Sequence, residues 1–213
     1  MVARLPALAR PEFGVDVAPM PPTVYDDEFD GSTFNSSLWT WENQGTALVA
    51  ITKSRAQFTY SASASNVQAI YQTAPTSTYQ ITAGSFFISG NAAGGDTGLF
   101  LMDGSGKIIV FGQLQNGGGV TNQSILVGYW TNATTFSSNP VLTTCPFTQA
   151  RYLQITDNGT NYIFSASADG TYFWPVLTVS RTAFLSGTGI KMGIFIGYGA
   201  SVGLSVDWFR RTA

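Results

Sequence analysis

An all-β antiparallel sandwich is the fold this sequence predicts, and three observations carry the prediction. Short runs with apolar alternation recur from residue 25 to the end of the chain. Turns rich in Gly and Asn separate them, roughly every 8 to 12 residues. No segment sustains a 3.6-residue apolar period with helix caps, and a single helical turn, around residues 178–184, is the most the pattern allows. The expected architecture is a two-sheet jelly roll over residues 25–213, preceded by an extended arm over residues 1–24.

The elements follow in order. The arm carries Pro6, Pro11, Pro19 and the stiff pair Pro21-Pro22, with no periodicity. Its apolar residues Leu5, Leu8, Phe13, Val15, Val17 and Met20 favour docking on a neighbour over a solvated tail. Tyr25-Asp-Asp-Glu-Phe-Asp-Gly-Ser-Thr-Phe-Asn-Ser-Ser-Leu-Trp-Thr-Trp41 and the closing Val206-Asp-Trp-Phe-Arg-Arg211 each read as a strand, apolar on one side and charged on the other. Paired, they would close a sheet with its own end segments. Between them, residues 47–51 and 56–60 form two short runs, 67–71 alternates, and 79–88 reads as one strand. Residues 98–102 and 107–114 flank Asp103-Gly-Ser-Gly, a tight hairpin turn. Residues 124–130 follow a glycine-rich turn and lead into a Ser/Thr/Asn-rich loop; 151–156 and 161–166 flank Asp157-Asn-Gly-Thr. Ser167-Ala-Asp-Gly turns into Tyr172-Phe-Trp174, and 191–197 and 203–209 are the last two strands.

Composition narrows the function classes. Charged residues are 10% of the 213, against a usual share of about 25%. Ser, Thr, Asn and Gln must cover the surface, which suits a subunit packed into an assembly and leads us to expect a homo-oligomer. Net charge is −2 without a basic block, so nucleic acid is not an expected partner. No apolar run reaches the roughly 18 residues of a membrane span, and residues 1–11 lack the apolar core of a signal peptide. The single cysteine, Cys145, excludes an internal disulfide, and the absence of histidine removes histidine-dependent catalysis and His-ligated zinc.

Three stretches together resemble the concanavalin A-like lectin/glucanase superfamily. They are Asp27-Glu-Phe-Asp-Gly-Ser-Thr-Phe-Asn-Ser-Ser-Leu-Trp39-Thr-Trp41, the hairpin Ser165-Ala-Ser-Ala-Asp-Gly-Thr-Tyr-Phe-Trp174, and the ending Val206-Asp-Trp-Phe-Arg. The resemblance covers residues 25–213 in outline, and its motifs are signatures of fold. An arm ahead of such a sandwich is similar to accessory domains of bacteriophage tail, fibre or capsid-decoration proteins. That likeness implies a virion location, other virion proteins as partners through residues 1–24, and cell-surface polysaccharide as a further partner.

Glycosidases of this superfamily place two or three carboxylates at near-alternate positions on a mid-domain strand of the concave face. Here the chain has only Glu12, Glu28 and Glu42 as glutamates. Asp26, Glu28 and Asp30 alternate, but on the opening segment, while Asp96, Asp103, Asp157 and Asp169 stand singly in glycine-containing turns, where side chain to backbone bonding explains them. A non-enzyme is therefore expected, with a glycoside hydrolase as one alternative and a carbohydrate-binding module as the other. For sugar binding, aromatic faces beside polar loops single out Tyr129, Trp130 and Asn132, and Tyr172 and Trp174. No cofactor is expected apart from a structural calcium ion, for which Asp27, Asp30 and Asp207 are the candidate ligands if the end segments pair. Arg210 and Arg211 are the alternative neutralisers of the same acidic cluster.

Overall fold

The computed structural model describes residues 23–60, 66–84, 87–89, 95–115, 123–144, 150–197 and 202–212. Residues 1–22 of the expected arm, Cys145 and the polar loops at 91–94 and 116–122 lie outside them. Among the described residues there is no helix, and sixteen strands, all paired antiparallel, form three sheets. In chain order they are β1 (Thr40–Glu42), β2 (Leu48–Ile51), β3 (Ala56–Tyr60), β4 (Val67–Thr73), β5 (Tyr79–Gly84), β6 (Phe87–Ser89), β7 (Gly95–Met102) and β8 (Ile108–Gln115). Then come β9 (Gln123–Asn132), β10 (Thr135–Thr144), β11 (Tyr152–Asp157), β12 (Asn161–Ser167), β13 (Trp174–Ser180), β14 (Lys191–Gly197), β15 (Val202–Val206) and β16 (Trp208–Thr212).

One layer is a seven-stranded sheet in the order β1-β4-β14-β7-β8-β9-β10. The expected second sheet is two sheets: β13-β12-β11-β5-β16 and β2-β3-β15-β6. The division falls where each of two expected strands is split. Residues 79–88 divide into β5 and β6, and residues 203–209 into β15 and β16, so one bent antiparallel pair serves both sheets. Asp207 sits at the bend, its N–H donating to the Gly84 carbonyl (3.1 Å). Strands that switch sheets in this way make corners in sandwiches.

A single apolar core lies between the layers. Leu99, Leu101, Ile109, Phe111 and Ile194 from the seven-stranded sheet meet Ile81, Leu153, Ile155 and Phe164 from the five-stranded sheet and Phe58 and Leu204 from the four-stranded one. The five-stranded sheet buries one side only: β11 alternates half-buried and buried residues, as its sequence did. The predicted pairing of the end segments is present, since Asp27 and Phe209 exchange both backbone hydrogen bonds (2.9 and 2.8 Å).

Three expectations need correction. Between that bridge and β1 the opening segment is not a strand. Asp27 folds it into turns: its Oδ1 accepts from the Phe29 N–H (2.8 Å) and its Oδ2 from the Trp39 indole N–H (2.8 Å). Trp39 then packs edge-on against Phe209, 4.9 Å between centroids. The Ser/Thr/Asn-rich loop after Trp130 is strand β10, an edge strand whose register with β9 shifts three times, which blurs any alternation. The helical turn around residues 178–184 is instead the end of β13 and a turn, because Thr178 and Ser180 pair with Ile163 and Asn161.

Candidate functional site

The outward face of the seven-stranded sheet is occupied by the protein itself. A second apolar cluster of Val67, Phe100, Met102, Ile108, Val110, Leu126, Trp130 and Phe195 is buried there. The sheet coils over it. The Val67 N–H donates to the Ala133 carbonyl (2.8 Å), joining the start of β4 to the β9–β10 turn although three strands lie between them in the sheet. Glycines permit the coil: Phe100 stands opposite Gly193 and Phe195 opposite Gly98, where a Cβ would run into the backbone of the adjoining strand.

Two carboxylates have strand positions on this face among the described residues. Glu42 is held by the Lys191 ammonium (3.2 Å), which also lies 4.4 Å from the Tyr71 ring centroid. Asp96, expected in a turn, is a strand residue of β7 and is buried; burial pushes its carboxyl up to about 8. The other three aspartates do form turns as expected. Asp103 accepts from the N–H groups of Ser105, Lys107 and Ser186; Asp157 from that of Gly159; Asp169 from those of Thr171 and Tyr172.

The residues singled out for sugar binding do not converge. Trp130 is only 2% exposed, sealed under Phe136 at 5.4 Å, and so offers no ring face to a ligand. Tyr129 stacks on Phe184 (4.4 Å) on the other side of the same strand. The Asn132 side chain closes the β9–β10 turn by accepting from Thr134 (2.9 Å). Tyr172 and Trp174 are open, 79% and 44% exposed, at the start of β13 on the far edge of the five-stranded sheet. That sheet's outward face is a polar ladder with two aromatics: Tyr152 tilts against Trp208 (6.1 Å), and Gln154 and Thr156 bond to Thr82 and Gln80.

The three proposed calcium ligands do not converge. Asp27 is engaged as described and lines a pocket with Asp30, whereas Asp207 is paired with the Arg55 guanidinium (2.6 Å); no group of three candidate ligands forms among the described residues. Arg210 does neutralise the opening cluster, gripping Glu28 at 2.9 and 3.2 Å with its guanidinium 4.5 Å from the Trp208 ring centroid.

Sequence reasoning missed one concavity altogether. A cleft of about 600 Å³ opens between Tyr25, residues 37–40 and 71–77, and Arg211. Tyr25 and Tyr71 supply aromatic walls, and Ser37, Thr40, Thr73, Thr76 and Ser77 supply hydroxyls. Four separate stretches build it, so no local pattern announces it.

No protein-family profile matches the chain, and no curated protein does. Solved structures match at the level of fold. A GH43B protein of the Bacteroides ovatus xyloglucan PUL has TM-score 0.65 at 16% identity, over 95% of this chain and 41% of that one. The CBM2 module of the evolved Dit of Lactobacillus casei BL23 phage J-1 has 0.60 at 14%, over 88% and 94%. A β-1,3-glucanase from Mycobacterium marinum has 0.56 at 16%, over 91% and 100%. The chain spans between about a quarter and two fifths of the length of the GH43 proteins it matches. The class defined by fold is thus the all-β sandwich found in glycanases and in a phage module. Identities this low carry the likeness no further than fold.

Proposed function

We propose that this protein is a non-enzymatic accessory component of a bacteriophage virion, anchored through residues 1–24 and adhering to cell-surface glycan. The observation that carries the reading is the closed outward face of the seven-stranded sheet. Two-carboxylate glycoside hydrolysis needs a carboxylic acid and a carboxylate roughly 5 to 10 Å apart beside an open groove. In its place stands an apolar cluster, with Glu42 tied to Lys191 and Asp96 buried. The phage module among the fold neighbours and the low charge content support the virion setting. Deletion of residues 1–24 tests the anchor. The truncated chain keeps its melting temperature within about 2 °C and disappears from purified particles; incorporation at the full-length level overturns the anchor. Release of reducing sugar from any β-glucan or xylan overturns the non-enzymatic reading.

A sugar-binding role has its own support in the open rings of Tyr172 and Trp174. A glycan array on the wild type and on Trp174→Ala tests it, with no wild-type binding as the result that removes adhesion.

A further inference from the structure

We propose that the cleft between Tyr25, Tyr71 and Arg211 is a binding site for an acidic saccharide, one bearing a carboxylate or phosphate group. The inference rests on the glycan-adhesion reading and specifies its ligand.

Arg211 is the first part of the argument. It is 7% exposed yet lines the cleft. The half-buried cations among the described residues have carboxylates: Arg181 has Asp157, Lys191 has Glu42 and Arg210 has Glu28. Arg211 has an uncharged set. One terminal nitrogen donates to the Thr73 carbonyl (3.1 Å), and the guanidinium lies 3.7 Å from the Tyr25 ring centroid. Its Nε has no protein partner. Asp26, the carboxylate beside it, spends one oxygen on the Arg211 backbone N–H (2.7 Å) and the other on that of Thr23 (2.6 Å). Burial pulls the guanidinium below its ordinary range, and the Tyr25 hydroxyl and the Asp26 carboxylate nearby offset that only in part.

The lining is the second part. Arg211 is the only charged residue among the twelve, so nothing there repels an anion. Gln72 forms part of the floor, donating its amide to the Tyr25 carbonyl (2.8 Å) while its Oε1 has no protein partner. The exposed hydroxyls of Ser37, Thr40, Thr76 and Ser77 ring the rim. Aromatic walls for a ring's apolar face, hydroxyls for its hydroxyls and one desolvated guanidinium for its acid group match a charged sugar better than a neutral one. A net charge of −2 makes unspecific attraction of a polyanion to the whole molecule unfavourable, so affinity for one requires a local site.

The test is titration calorimetry of the full chain with three probes: polygalacturonate for the carboxylate source, poly(glycerol phosphate) for the phosphate source, and neutral xylan. One of the polyanions binds at least tenfold tighter than xylan, and which one names the source. Arg211→Gln weakens that binding at least tenfold. Because Arg211 is buried, Ser37→Glu serves as the second variant: it sets a negative charge at the exposed rim, keeps the wild-type melting temperature and weakens binding equally. Lys53→Gln, on an exposed turn, changes nothing. Equal affinity for xylan, or full binding by Ser37→Glu, overturns the site. Particles that incorporate the protein while it takes neither polyanion also overturn it, and leave the accessory role standing.

Discussion

The two layers of this sandwich treat their outward faces in opposite ways. On the seven-stranded sheet that face is a second core: β7 is buried at all eight of its positions, with Phe100 and Met102 outward and Leu99 and Leu101 inward. On the five-stranded sheet it is a solvated ladder of Gln80, Thr82, Gln154 and Thr156, and its strands alternate. A strand buried on both sides reads as an unbroken apolar run and one buried on a single side reads as alternation. Coiling the larger sheet around apolar side chains closes its outward face, whereas the five-stranded sheet keeps a polar one.

Three substitutions probe the contrast. Phe100→Ala empties part of the coiled cluster and is expected to cost about 3 to 5 kcal/mol, read from the urea midpoint; a cost under about 1 kcal/mol would mean the outward face is not a true core. Asp96→Asn bears on the same face through pH. The carboxyl titrates near 4 when unfolded and at about 8 when folded. Its contribution to stability is therefore complete below pH 4 and is lost as pH rises to about 8, at no more than about 1.4 kcal/mol per pH unit. Urea midpoints at pH 5 and pH 8 should show a smaller fall for Asp96→Asn than for the wild type, and identical falls would place Asp96 in water. On the solvated ladder, Gln154→Ala should shift stability by no more than about 0.5 kcal/mol. A larger loss there would erase the difference between the two faces.

Much of the fold was legible because local chemistry and tertiary role agreed. The β7–β8 hairpin announces itself through apolar strands about Asp103-Gly-Ser-Gly, and Asp103 does bind that turn. What stayed hidden depended on partners distant in sequence. In residues 79–88 only Gly84 marks where β5 gives way to β6, and the corner itself is fixed by the opposite strand at Asp207. β10 escaped notice because it lies at an edge, is largely exposed and shifts register, so polar residues occupy both its sides. Asp96 looked like its turn-forming counterparts, since adjacency to glycine describes a loop and a tightly packed strand equally well. The cleft was illegible for a related reason. Arg211 was visible as a counter-charge for the acidic cluster, yet Arg210 meets Glu28 while Arg211, one residue on and facing the other way, is held by Tyr25 and Thr73 at the cleft.

The place of β14 in the seven-stranded sheet has a kinetic consequence. Lys191–Gly197 stands between β4 and β7 and pairs with both. Until that stretch leaves the ribosome, β1 and β4 cannot join β7 through β10, and the apolar sides of both pieces stay uncovered. Likewise β15 must arrive before β3 and β6 can share a sheet. Pairings this distant in sequence make for slow folding, on the order of milliseconds to seconds once the chain is complete. The unfinished halves are the aggregation-prone species, so yield on expression should depend more on how fast residues 191–206 are supplied than on how stable the finished sandwich is.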